Sequence, residues 1–123
     1  MQISEKFRRG VVMPLDETSA KALEAEDVND ATRVRFIEIA SQDEFELLWQ
    51  TGVFAAINEQ TGSLIDDYEE EVIPAEMVSR VHAVALSFAK NCTGGATAVR
   101  FFTALADACD VALRAAKPIY FVL

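Results

Sequence analysis

Between Phe36 and Ser79 the chain contains no lysine and no arginine. That absence argues against nucleic-acid binding, because affinity for DNA or RNA comes mainly from basic side chains that neutralise phosphates. Histidine is nearly absent too. His82 stands alone, so a histidine-rich zinc site cannot be built, and its helical neighbours Val78 and Leu86 predict a half-buried structural role. The two cysteines, Cys92 and Cys109, lack metal-ligand spacing such as CxxC. Both fall in or beside segments that read as helix, and both are expected to be reduced and mostly buried. No run approaches the ~18 apolar residues of a membrane span. No charged-then-apolar leader with a small-residue cleavage site follows Met1, so the expected compartment is the cytoplasm. With three prolines and five glycines there is no linker composition. The expectation is a single globular domain over residues 1–123.

What is present is acid. The net charge is −9, and it is unevenly placed. Residues 1–35 hold six bases against seven acids; residues 36–79 hold eleven acids and no base; residues 80–123 hold five bases against two acids. The middle third therefore carries more than the whole net charge. Such a field repels nucleic acid and anionic membrane surfaces and attracts basic proteins and divalent cations.

The hydrophobic pattern is mixed. Gly10-Val11-Val12-Met13 reads as a short strand that Pro14 ends or marks as an edge. Asp16 or Thr18 can cap a short helix to about Glu26. Arg33 to Ala40 is the clearest strand, apolar on both faces, and is expected at the centre of a sheet or covered on both sides. Ser41 and Glu44 form a capping box. Phe45, Leu48, Trp49, Val53, Ala56 and Ile57 follow at helical spacing, interrupted or bent by Gly52. On this stripe Trp49 is expected in the core.

Thr61-Gly62-Ser63 is a turn signal. After the acidic run, Pro74 suits the first turn of a helix to about Lys90. Thr93-Gly94-Gly95 lacks the lysine and the spacing of a P-loop and reads as a plain loop. A last helix spans about Ala96 to Ala116, and Ile119 to Leu123 reads as a buried final strand. The fold class is α/β (α+β): a small sheet of about three or four strands packed against about four helices.

The sharpest candidate site is the run Asp66-Asp67-Tyr68-Glu69-Glu70-Glu71. Crowded like charges repel, so a useful reason to keep them is a cationic partner. Carboxylates can hold arginine in bidentate pairs, and a tyrosine adds contact area at low entropic cost. The plainer alternative is that acids ahead of a helix favour its positive end and aid solubility. The order of ligands does not match a calcium loop, so no metal is assigned. No catalytic residues and no cofactor are assigned either.

Size, charge and the Asp66–Glu71 region together resemble the bacterial immunity proteins, including those of contact-dependent growth inhibition systems. The resemblance implies a protein-binding inhibitor, not an enzyme, that neutralises a cognate toxin domain, often a basic nuclease, by binding at or near its active site. Tyr68, Phe54 or Trp49, if exposed, would supply apolar anchors. Two alternatives stand beside it. One is an assembly or scaffold subunit that forms a homo-oligomer, the oligomeric state being open. The other is a carboxylate-based small-ligand or metal-dependent enzyme using Asp66, Asp67 and Glu70.

Overall fold

The computed structural model describes residues 3–123, the side chains of Ser4 and Glu5 excepted. The elements in order are α1 (Ile3–Phe7), β1 (Gly10–Pro14), α2 (Glu17–Glu24), β2 (Val34–Glu38), α3 (Gln42–Thr51), α4 (Val53–Thr61), β3 (Glu70–Ile73), a 3₁₀ turn at Ala75–Met77, α5 (Val78–Lys90), α6 (Gly95–Ala115) and β4 (Ile119–Val122). The four strands form one antiparallel sheet in the order β2-β1-β4-β3. This is a mixed α/β domain with helices on both faces of the sheet.

Strand alternation explains the layers. Val11, Met13, Ile119, Phe121 and Leu123 point into the main core, with α3 to α6. Val12, Tyr120 and Val122 point the other way, into a smaller core closed by Ile3, Phe7, Leu23 and Val28. β4 is therefore buried along its whole length, between β1 and β3, as its uniform apolar run predicts. The main core is centred on Phe54, whose ring meets Phe45, Phe101 and Phe121 at centroid distances of 5.9, 6.2 and 6.2 Å.

Of the two placements expected for β2, the centre of a sheet or cover on both sides, the second is found. β2 lies at a sheet edge and is only half-buried, while β1 is interior. β2 is apolar on both faces because each face meets a core, Ile37 on one side and Phe36 on the other. Pro14 sits at the very end of β1, where Leu15 donates to the Arg33 carbonyl in its place. The sheet also gains β3, which takes in the last two residues of the acidic run, Glu70 and Glu71, where no strand was expected.

Local signals are otherwise obeyed. Ser41 accepts from the Glu44 amide at 3.1 Å, and the Glu44 carboxylate accepts from the Ala40 amide at 2.8 Å. Asp16 caps α2 by accepting from the Ser19 amide at 2.7 Å, which holds its carboxyl below the usual range. Gly52 adopts φ 87° and divides one helical stripe into α3 and α4. Pro74 precedes the 3₁₀ turn, and α5 begins four residues later than the Pro74 signal suggests, at Val78.

Candidate functional site

The acidic run begins in a well-anchored loop. Asn58, on α4, holds it from below: its side-chain oxygen accepts from the Ile65 amide at 2.8 Å, and its amide donates to the Ile65 carbonyl at 3.1 Å. Ile65 is sunk in the main core. Farther on, the Glu69 carbonyl accepts from the Leu123 amide at 2.9 Å, and the chain enters β3. The acids between these anchors are thus displayed by a fixed scaffold.

The fold separates them. Asp67 is paired with Arg9 at 2.5 Å, and the Arg9 side chain is only 9% exposed. Arg9 also donates to the Gln42 side chain at 2.7 Å and lies over the Phe45 ring, 4.3 Å from its centroid. Tyr68 is 71% exposed and has a left-handed backbone, φ 62°. Arg8 stands 4.7 Å from its ring centroid. Asp66 is exposed, with one oxygen accepting from the Asp67 amide at 2.7 Å. The Glu71 carboxylate accepts from the Leu64 amide at 2.6 Å. Glu70, on the alternate side of β3, shares the sheet face of Val72 and Tyr120. The six residues therefore do not make one surface. Asp67 is a structural ion-pair partner, Asp66 and Tyr68 face outward on the loop, and Glu70 turns to the far side of the sheet.

A residue assigned to the core from sequence joins the outward group. Trp49 packs against Phe45 and Phe54 in tilted ring contacts at 5.9 and 6.0 Å, yet is 42% exposed. It lines a trough of about 290 Å³ between α3 and the loop, with Glu46, Asp66 and Asp67 as walls and no basic residue in the lining. Glu46 and Trp49 are three apart on α3 and so share a helix face. That spacing was the available signal, masked by the apolar stripe on which Trp49 also lies. Phe54 is fully buried and is no anchor. Arg8 and Arg9, which neutralise part of the run, come from outside the base-free segment and gave no local sign of it.

The remaining candidates are quiet. His82 is half-buried on α5, as expected. Cys109 is buried, and desolvation pushes its thiol up to about 12, whereas Cys92 is exposed, contrary to expectation, because it lies in the turn past the end of α5. Gly94 and Gly95 adopt φ 81° and 83° and start α6. Among the described residues no group of three or more His, Cys, Asp or Glu side chains is placed to hold a metal ion, and no helix is long and apolar enough to cross a membrane. No protein-family model, curated protein or solved structure matches this chain.

Proposed function

We propose that the protein is an acidic protein-binding inhibitor of the immunity type, which neutralises a basic toxin domain by covering its active site or the surface beside it. One observation carries this reading. The 42%-exposed Trp49 lies in a trough walled by Glu46 and Asp66, and the 71%-exposed Tyr68 stands two residues beyond Asp66 on the same loop. Aromatic faces attract guanidinium and ammonium groups, and carboxylates bind them with charge-assisted hydrogen bonds. A centre of this kind suits a surface rich in arginine and lysine. The net charge of −9 adds attraction at longer range, which speeds encounter and selects the partner.

The chemistry of inhibition on this reading is steric and electrostatic. The trough takes a basic side chain of the toxin, Tyr68 covers apolar surface next to it, and the remaining acids oppose cations that would otherwise bind the toxin's substrate. No bond is made or broken.

The test is co-expression with the product of the adjacent gene, followed by binding measurements on the purified pair. The expected result is a one-to-one complex that weakens with salt. Glu46→Lys with Asp66→Lys should lower affinity by about a hundredfold, and Trp49→Ala by about tenfold or more. A complex that is indifferent to all three substitutions would remove this site from the interface. Absence of any complex, with concentration-dependent self-association of the isolated protein, would replace the inhibitor with an assembly subunit.

A further inference from the structure

α1 and α2 cover β4 and β1 on the second sheet face and leave the edge strand β3 partly open. Val72 on β3 is 46% exposed for this reason, directly across the ladder from Tyr120 on β4. The result is a groove of about 600 Å³ between α2, β3 and the start of β4. Its volume is in the range of about 300–1,000 Å³ typical of small-ligand sites. The floor is apolar, with Leu23, Val72 and Tyr120; the rim is acidic, with Glu24, Glu26 and Glu70. Lys117 lies at one end, held by the Glu17 carboxylate, whose acidity this pairing strengthens.

An acidic rim alone is no site, but Tyr120 supplies an independent observation. It is nine-tenths buried, at 9% exposure, and its hydroxyl makes no hydrogen bond to another described residue. No fully enclosed polar side-chain atom of the described residues is left unpaired, so the hydroxyl reaches the open space of the groove. A hydroxyl so placed, on a ring that is itself buried, is open to donate to or accept from a group that enters the groove. Burial and, second, the nearby Glu24 carboxylate raise the hydroxyl's pKa, which keeps it neutral and able both to donate and to accept.

We propose that this groove binds a small organic amine, its apolar body on Leu23 and Val72 and its ammonium at the Tyr120 hydroxyl and the Glu24 carboxylate. The ammonium donates to the phenol oxygen and to Glu24, giving Tyr120 the partner it lacks. The apolar floor and the absence of a three-ligand group among the described residues disfavour a bare metal ion. The carboxylate rim disfavours an anion. The groove is separate from the Trp49 trough, sharing none of its lining residues, so the proposal stands apart from the inhibitor reading.

Phenethylamine, phenethyl alcohol and hydrocinnamate are matched probes carrying an ammonium, a neutral hydroxyl and a carboxylate on nearly the same body. Titrating each into the full chain, followed by calorimetry and by backbone-amide NMR, tests the assignment. The amine should shift the amides of Glu24, Val72 and Tyr120, the alcohol should bind about tenfold more weakly, and the acid should leave these amides unmoved. Tyr120→Phe keeps the ring, and Glu24→Gln lies on an exposed helix end, so folding survives both; each should weaken the amine by about tenfold. Asp66→Lys, in the other site, should leave amine binding unchanged. Amides unmoved by millimolar amine, equal binding of alcohol and amine, or full affinity in both groove variants would each overturn the proposal.

Discussion

Arg9 decides what Asp67 can do. With its side chain 9% exposed and its charge matched by Asp67 at 2.5 Å, the guanidinium depends on that carboxylate for its burial. Asp67→Ala should cost about 2–3 kcal/mol in urea denaturation, because it strands a buried cation. Arg9→Ala should cost a similar amount, and the double variant clearly less than the sum, the sign of direct coupling. Asp66, exposed and bonded only within the loop, should change stability by no more than ~0.5 kcal/mol when replaced. The two neighbouring aspartates thus separate into a structural and a binding residue by stability alone. Cysteine chemistry divides the same way. One thiol, Cys92, should react with Ellman's reagent in the native protein, and Cys109 only after unfolding. Because the folded state holds the Cys109 proton more tightly than the unfolded chain does, its contribution to stability is full below pH 9 and is lost as the pH rises toward 12. Denaturation midpoints should therefore fall between those limits, and Cys109→Ala should flatten that fall.

At the scale of elements, the edge and interior strands are set by close approach as much as by hydrophobicity. A Cβ on Gly10 would stand 2.1 Å from the Ile37 carbonyl oxygen and 2.8 Å from the Phe36 ring. Gly10→Ala must push β2 away from β1 and should lower stability by on the order of 3 kcal/mol in chemical denaturation. Gly52→Ala meets no atom within 4 Å, and its cost is the left-handed backbone alone, about 1–2 kcal/mol. The helices from α2 onward were legible from sequence because caps and apolar spacing are local: Ser41 with Glu44, Asp16 and the break at Gly52 all stand as read. β3 was hidden because four residues beginning Glu-Glu carry little strand signal of their own. It forms because β4 offers an unpaired edge to Val72 and Ile73, and the Leu123 amide finds the Glu69 carbonyl. The positions of β1 and β2 in the sheet were not legible for a related reason. A strand apolar on both faces need not be central when a helical layer lies against each face.

For the molecule as a whole, the charge imbalance predicts how a basic partner is captured. The acids divide between long-range attraction and short-range fit, and kinetics should separate the two. Glu59→Lys, on the exposed outer side of α4, should slow association without changing dissociation, and added salt should erase the difference. Trp49→Ala should leave association nearly intact and speed dissociation, since it removes contact area. Stopped-flow measurements at two ionic strengths distinguish them. The sequence by itself determined the charge of the middle third, the α/β class, the capped helices and the buried last strand, since each follows from composition or from neighbours within a turn or two. It also marked Asp66–Glu71 as unusual. Only the tertiary structure decided which of those acids are available. Arg8 and Arg9 arrive from the far side of the chain to meet Tyr68 and Asp67, the β3 pleat sends Glu70 and Glu71 in opposite directions, and the turn at Gly52 leaves Trp49 partly uncovered. Those are consequences of long-range packing, in which contact depends on where whole elements meet, and no local pattern of residues records that.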